Sequence, residues 1–193
     1  NDKDRHPKQW RWARYPDGKE YIWIPIPEDR DQAFISLDGF AMAVIRRAVP
    51  SQIKFEEELP SLVGLSLTAW ELDRLLLSEM DRQDWQETAR EFQHQLPDTV
   101  IEKAVFRLPP PYYQLVGEHL SRSLKSRRDE MINYADKYYL LINKNPEINT
   151  TDKAEKLKAD FLANGDLEMS ISLKKSKVPF YHRVFHPDET RDV

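Results

Sequence analysis

The chain has 193 residues, of which 40% are hydrophobic and 11% aromatic, and a formal net charge of −4 at pH 7. This composition supports a packed core in one medium-sized domain, or in one domain with a small appendage, and argues against global disorder. The absence of cysteine excludes disulfide frameworks, thiolate nucleophiles and Cys-based zinc sites. Since the charge is not basic and no apolar run approaches the roughly 20 residues of a membrane span, we expect no nucleic-acid partner and no span in this segment.

The N-terminal region predicts a β-hairpin. Residues 9–15 place Trp and Ala beside Arg, and residues 20–26 alternate Tyr, Ile and Trp. Between them, Pro16-Asp17-Gly18-Lys19 is a turn signal, because proline presets φ and Asp-Gly tolerates the positive φ of a hairpin turn. Pro25 and Pro27 are expected to stop the second strand.

A helical period follows the hairpin and predicts a bundle of four or five helices. Thr68 with Glu71 three positions later forms a capping-box pattern, and Asp81 and Asp98 precede two further periodic stretches. The predicted helices cover residues 32–48, 68–80, 81–96, 98–108 and 112–136.

After Tyr138 the sequence takes on a β-like pattern. Residues 143–149 are polar and turn-rich, which is typical of a domain boundary. Asn164-Gly165 indicates a hairpin turn among three strand-like runs, at residues 156–162, 167–173 and 180–185. We therefore predict an α+β chain, with one domain over residues 1–142 and the truncated start of a β-rich module over 143–193.

Two acidic clusters flank the predicted hairpin, Asp4-Arg5-His6-Pro7-Lys8-Gln9 before it and Glu28-Asp29-Arg30-Asp31 after it. In kinase-type phosphoryl transfer a loop carboxylate accepts the hydroxyl proton, and an amide about five positions later holds one metal ion. A second carboxylate, past the hairpin, holds the metals against the phosphates. Asp4 and Gln9 have that spacing and Asp29 has that placement. Acid-rich loop ends are also typical of solvated turns, so the pattern alone leaves both interpretations open.

The first cluster, together with the segment Trp23-Ile24-Pro25-Ile26-Pro27-Glu28-Asp29-Arg30-Asp31-Gln32-Ala33-Phe34, resembles the spore-coat CotH type of atypical protein kinase, which is related to the HipA kinases. In that family an Asp-x-His-x-x-Asn loop precedes the hairpin, and a Pro-x-Asp-x-Asp-x-Ala-Phe segment carries the metal carboxylates. The resemblance implies a kinase-like C-lobe over residues 1–142, built as a hairpin followed by a helical bundle. It also implies a metal-dependent phosphotransferase that uses ATP with Mg²⁺ or Mn²⁺.

The resemblance gives roles to individual residues. Asp4 corresponds to the catalytic-loop aspartate, and Asp29, with Asp31 beside it, corresponds to the metal-binding aspartate. Gln9 stands where the family has Asn, as a ligand of the metal and the cofactor. The other loop residues expected at the cofactor are Arg5 and His6.

A second, softer resemblance covers nearly the whole chain and points to large envelope proteins of Bacteroidetes-like bacteria. In those proteins a kinase-like segment is followed by β-modules, and in some by a BamA-like surface-antigen barrel. Residues 180–191 look like the start of such a module. This resemblance implies a periplasmic, outer-membrane or surface location, with an upstream N-lobe and downstream β-modules of the same polypeptide as partners.

Because the sequence opens on Asn1 without a Gly-rich loop or a strand lysine before it, we expect a piece of a longer protein that is inactive as a fragment. The alternative function is a non-catalytic envelope module with a degenerate kinase-like fold, which supports an outer-membrane or surface assembly.

Other patterns favour structural roles. Five tryptophans could stack on carbohydrate, although their spacing is more typical of core packing. His182 and His186 would share a helix face as metal ligands, but the surrounding aromatic alternation favours a strand. The basic run Arg122–Arg128 is followed by acidic residues and predicts a solvated helix face.

Overall fold

The computed structural model describes residues 2–18 and 20–192, without the side chain of Glu20. This part of the chain is mixed α+β, which confirms the predicted class. It forms two compact units: unit 1 is Asn1–Leu72 with Pro97–Asp129, and unit 2 is Asp73–Leu96 with Glu130–Val193. The bounds of the predicted domains, 1–142 and 143–193, differ from those of the two units. The division into these two domains stays a prediction.

A two-stranded antiparallel hairpin lies near the start of unit 1. A 3₁₀ turn, Pro7–Gln9, leads into strand β1 (Trp10–Asp17), which pairs with β2 (Glu20–Pro27). Gly18 has a φ of 61°, a left-handed conformation that glycine adopts without a steric cost. The predicted strands are confirmed, and Lys19 of the predicted turn lies outside the described residues.

Three prolines, Pro16, Pro25 and Pro27, belong to this ladder, and only Pro27 lies at the end of its strand. The amide of Glu28 donates to the Gln9 carbonyl at 2.9 Å, so the hydrogen-bonded pairs recur at every second residue from that point. In this register Pro16, Pro25 and Pro27 occupy non-hydrogen-bonded positions, where an N–H would point away from the partner strand. The prediction that Pro25 stops β2 is therefore wrong, whereas β2 does end at Pro27, as predicted. Because proline has no N–H, the three prolines remove backbone donors that would point outward from the hairpin. This hinders the pairing of a further strand at either edge.

The rest of unit 1 is helical. Its helices are α1 (Phe40–Ala48), α2 (Leu62–Ser66), the start of α3 (Trp70–Leu77), α5 (Asp98–Val105), the single turn α6 (Pro110–Tyr112) and α7 (Glu118–Asp129). The helix predicted over residues 32–48 is shorter than expected. Gly39, with φ 114°, caps α1, and Phe34 has φ 60°, so residues 31–34 form a turn. Left-handed backbone does not continue a right-handed helix.

The helix predicted over residues 112–136 is also interrupted. A π-helical turn, Tyr113–Gly117, precedes α7, and Glu130 separates α7 from α8 (Met131–Ile142). Glu130 has φ −86° and ψ 3°, a bridge-region conformation that does not extend the α-helical ladder. Apolar periodicity alone does not detect such a break.

Unit 2 combines helices α4 (Arg82–Gln95) and α8 with a three-stranded antiparallel sheet in the order β3-β4-β5. The cap predicted at Asp81 is confirmed. Its side chain accepts a hydrogen bond from the Asp84 amide at 2.9 Å, and the Asp84 side chain accepts one from the Asp81 amide at 3.0 Å. The three predicted strands are confirmed as β3 (Glu155–Phe161), β4 (Leu167–Leu173) and β5 (Tyr181–Phe185).

One face of this sheet forms the core of unit 2. Met169 and Ile171 of β4 are buried beside Tyr181 and Phe185 of β5, since alternate residues of paired strands share a face. Arg183 lies on the same face and is only 3% exposed. It donates to the Ser78 carbonyl at 2.6 Å, so this polar side chain belongs to the core.

The buried guanidinium continues into a polar network. Arg183 donates to the Tyr139 hydroxyl at 3.1 Å, and that hydroxyl donates to Glu189 at 2.6 Å. Glu189 in turn lies 3.2 Å from Arg82, which forms two hydrogen bonds to Asp136 at 2.6 and 2.8 Å. Burial, followed by the bond to Glu189, raises the pKa of Tyr139 to about 12. Tyr139 is therefore protonated, and a donor, at any physiological pH.

The two histidines of the C-terminal region form separate ion pairs. Nε2 of His182 lies 3.0 Å from Glu168, and Nδ1 of His186 lies 2.9 Å from Asp166. His182 lies in β5, as the aromatic alternation predicts, and His186 directly follows that strand. The hydrogen bond to Asp166 raises the pKa of His186, with smaller contributions from acidic neighbours.

The pair of His186 with Asp166 makes the stability of the fold depend on pH. A raised folded-state pKa stabilises the fold below the unfolded-state value, and that contribution is lost as pH rises through the folded-state value. We expect His186→Gln to destabilise the protein at about pH 5.5 more than at about pH 8.5. Urea unfolding of both variants at both pH values measures this, with the exposed His94→Gln as the control. An equal His186→Gln effect at both pH values contradicts the assignment.

Candidate functional site

The loop before the hairpin is anchored by Thr68. Its hydroxyl donates to the Lys3 carbonyl at 2.8 Å and accepts the Arg5 amide at 3.1 Å. The capping box predicted for Thr68 and Glu71 is wrong, because α3 begins two residues after Thr68 and the hydroxyl serves this loop instead. Asp4 lies between the two anchored residues, so its backbone is held from both sides.

Lys3 fixes the same loop from inside unit 1. It is 6% exposed, and its ammonium donates to Oε1 of Gln52 at 3.0 Å. Burial, and then the charge of Arg46, lower the pKa of Lys3. Burial of an ammonium group is costly unless it is hydrogen-bonded, and the bond to Gln52 offsets part of that cost.

Both carboxylate oxygens of Asp4 face potential donors. Nε2 of Gln9 donates to Oδ2 at 3.1 Å, and Nε2 of His6 lies 3.8 Å from Oδ1, beyond hydrogen-bond range. Nδ1 of His6 accepts the Lys8 amide at 3.2 Å, so the proton of the neutral ring lies on Nε2, towards Asp4. The loop thus brings the side chains of Asp4, His6 and Gln9 together.

Gln9 has an unused acceptor. Its side chain is buried, at 8% exposure, and its Nε2 is taken by Asp4. The buried Oε1 has no hydrogen-bond partner among the described residues. An unsatisfied buried amide oxygen costs about 1–3 kcal/mol, so such a group is often retained for a ligand, a water or an ion.

The segment after the hairpin lies against the loop before it. Besides the Glu28 bond, Arg30 forms an ion pair with the buried Asp2 at 2.9 Å and reaches the Gln9 carbonyl at 3.4 Å. The Arg30 guanidinium also stacks over the Trp10 ring, 4.4 Å from its centroid. Sequence reasoning missed Asp2 and gave Arg30 no role, although a lone Arg within an acidic cluster is a signal for such a bridge.

Asp29 and Asp31 stand on either side of Arg30 and are exposed. Neither carboxylate forms a hydrogen bond or an ion pair with any described residue. Asp29 has φ 48°, a left-handed conformation that costs roughly 1–2 kcal/mol for most L-residues and is best tolerated by Asn and Asp. Strained positions of this kind occur often at functional sites.

The predicted metal ligands are the amide of Gln9 and the carboxylates of Asp29 and Asp31. Across residues 2–18 and 20–192, no group of three or more His, Asp or Glu side chains is arranged to hold a metal ion. The predicted set contains only two such residues, so it stays a prediction. The cofactor roles predicted for Arg5 and His6 also stay predictions.

The hairpin exposes aromatic side chains on one face. Trp12 is 38% exposed and Trp23 is 55% exposed, so the prediction that these two rings pack in a core is wrong. The Arg14 guanidinium lies over Tyr21 at 4.4 Å and near Trp23 at 5.7 Å. A two-stranded ribbon has no second layer of its own to cover such a face.

No family model, no curated protein and no solved structure matches the chain. Within the part of the chain that the structure describes, no helix has both the length and the apolar character that crossing a membrane requires. Assignment of function therefore depends on the chemistry of the residues themselves.

Proposed function

We propose that unit 1 carries the base and the metal ligands of an atypical phosphotransferase of the kind that the CotH resemblance implies. The observation that supports this most is Gln9, whose Nε2 binds Asp4 while its buried Oε1 has no protein partner. One amide can thus orient a general base and offer a metal ligand at once. The contacts of Arg30 and Glu28 support the proposal further, because they bring the second acidic segment against this loop.

In this proposal Asp4 accepts the proton of the attacking hydroxyl. The Thr68 hydroxyl holds its backbone, and Gln9 holds one carboxylate oxygen, which leaves the other, near His6, to receive the proton. Phosphoryl transfer depends mainly on positioning and electrostatic stabilisation, and a pre-anchored carboxylate provides the first of these.

The donor set fits a hard divalent cation. Gln9 Oε1 and the carboxylates of Asp29 and Asp31 are all oxygen ligands, which Mg²⁺ and Mn²⁺ prefer. These three residues would hold the ion, which when bound neutralises charge on the phosphates of ATP. The carboxylates of Asp29 and Asp31 can bind the ion without breaking a hydrogen bond or an ion pair to any described residue.

Calorimetric titration with Mn²⁺ tests the site. We expect weak binding by the chain and an affinity at least about tenfold lower in Asp29→Ala, as for loss of a ligand or its support. The matched control is Asp152→Ala, another exposed aspartate, which lies in unit 2. If Asp29→Ala and Asp152→Ala bind Mn²⁺ with the same affinity, Asp29 is not a metal ligand.

The exposed aromatic face of the hairpin favours a second function, a non-catalytic module that supports an envelope assembly. Assays of assembly and of phosphoryl transfer discriminate between the two functions. Loss of assembly in Trp23→Ser with assembly retained in Asp29→Ala supports the interaction module. Loss of phosphoryl transfer in Asp29→Ala with activity retained in Trp23→Ser supports the enzyme.

A further inference from the structure

Unit 1 contains a cleft with a volume of about 680 Å³, and none of its lining residues belongs to the proposed phosphotransferase site. It lies where the end of α5 meets the π-helical turn and the start of α7. Its walls combine aromatic and basic side chains, chiefly Lys103, Phe106, Arg107, Tyr113, Arg122 and Lys125.

The aromatic wall of the cleft is built by an unusual piece of helix. Phe106 and Tyr113 meet edge to face with ring centroids 5.5 Å apart, yet Phe106 remains 72% exposed. A Cβ at position 117 would lie 2.6 Å from Cδ2 of Tyr113, so Gly117 is needed for the Tyr113 ring to lie against the backbone. π-Helical turns occur frequently at functional sites. The turn therefore holds the Tyr113 ring against the Phe106 ring, which remains mostly exposed to solvent.

The basic wall has two cations that are not compensated. Two other cations are paired, in Lys125–Glu102 at 2.6 Å and Arg122–Glu118 at 2.9 Å. The side chains of Lys103 and Arg107, by contrast, are exposed and form no hydrogen bond or ion pair with any described residue. They lie on either side of Phe106 in the sequence, so positive charge flanks the exposed ring.

We propose that this cleft docks an acidic peptide segment that carries a large apolar side chain. The apolar side chain packs on Phe106 and Tyr113, and carboxylates of the segment pair with Lys103 and Arg107. This inference goes beyond the phosphotransferase site and does not depend on it.

Two observations favour a peptide over a nucleic acid or a small molecule. Glu102 and Glu118 also line the cleft, so it would repel the continuous charge of a phosphate backbone, whereas a peptide can place its acids selectively. Apolar exposure continues along the chain next to the cleft, with Tyr112 63% and Leu115 81% exposed. A macromolecular partner can cover such an extended surface.

Fluorescence anisotropy with a fluorescein-labelled peptide Asp-Glu-Phe-Asp-Glu-Leu tests the proposal. We expect binding by the wild-type chain and at least about tenfold weaker binding by Lys103→Glu/Arg107→Glu, a loss of about 1.4 kcal/mol. Phe106→Ser should weaken binding without loss of stability, since this side chain is mostly exposed. Gly117→Ala should also weaken it, because it displaces the Tyr113 ring.

The matched control is Lys174→Glu/Lys175→Glu, which makes the same charge change at two exposed lysines of unit 2. This control should bind as the wild type does. Equal binding of the labelled peptide Lys-Arg-Phe-Lys-Arg-Leu, or an equal loss in the control, overturns the proposal. Tighter binding of a labelled single-stranded DNA than of the acidic peptide also overturns it, in favour of nucleic acid.

Discussion

Replacement of Arg183 by methionine destabilises unit 2 by about 2–4 kcal/mol. Methionine fills much of the volume but removes the guanidinium that donates to the Ser78 carbonyl at 2.6 Å, so this carbonyl keeps only the longer hydrogen bond from the Tyr181 hydroxyl at 3.3 Å. The Tyr139 hydroxyl loses its donor, and the stacking of Arg183 over the Phe185 ring, 4.8 Å from its centroid, is lost as well. The loss of these buried hydrogen bonds makes the substitution costly even though the core becomes more apolar.

The neighbouring residue provides the control. His182 alternates to the opposite face of β5 and is exposed, so His182→Ala should change the unfolding free energy only slightly. Urea unfolding and hydrogen exchange of the β4 and β5 amides measure the difference. If Arg183→Met and His182→Ala unfold at the same urea concentration, the network does not stabilise the sheet.

Replacement of Thr68 by valine should destabilise unit 1 by about 1–3 kcal/mol. Valine keeps the shape of threonine, but the Arg5 amide and the Lys3 carbonyl both lose their partner. Because these bonds hold the backbone on both sides of Asp4, the loop should also become mobile. We expect faster amide exchange at Arg5 and a weaker Mn²⁺ affinity along with the loss of stability.

Thr68→Ser distinguishes the effect of the hydroxyl from that of the methyl group, because serine keeps only the hydroxyl. Serine can form both hydrogen bonds, so its amide exchange at Arg5 should remain close to that of the wild type. Equal exchange rates at Arg5 in the serine and valine variants would mean that the hydroxyl does not anchor the loop.

Local patterns in the sequence predicted the local structure well. The hairpin follows from strand-like runs on either side of a Pro-Asp-Gly turn, and the Asp81 cap follows from a side chain that satisfies an amide three residues on. The strands of the C-terminal sheet follow from alternation, with Arg183 placed on the buried face by register alone. The burial of that arginine was not predictable, because its partners come from Ser78 and Tyr139, distant in sequence.

The errors arise where distant contacts or backbone conformation outweigh local preference. Thr68 has the position of a helix cap, yet its hydroxyl bonds to a residue 65 positions away. The left-handed Phe34 and the bridge-region Glu130 break stretches that have helical periodicity. Trp23 has the size of a core residue but lies on a ribbon with no covering layer, and it is 55% exposed.

The candidate site was predictable in part. The spacing of Asp4 and Gln9 across a short turn places their side chains in contact, and the hairpin returns the chain to the same loop. The lone Arg30 within an acidic cluster is a signal for an ion pair, but its partner Asp2 was not predictable, since the pair depends on burial of an aspartate 28 residues away. The orientation of Gln9, with one amide atom bound and the other free, required the structure.

Paramagnetic broadening by Mn²⁺ tests whether Gln9 and the acidic segments form a cation site. In ¹⁵N-labelled protein, substoichiometric Mn²⁺ should broaden the side-chain amide resonances of Gln9 and the backbone amides of Asp29 and Asp31. In Asp29→Ala, the same addition of Mn²⁺ should leave the Gln9 side-chain resonances sharp. Broadening that spares Gln9 in the wild type, or that is equal in the wild type and Asp29→Ala, contradicts the proposed site.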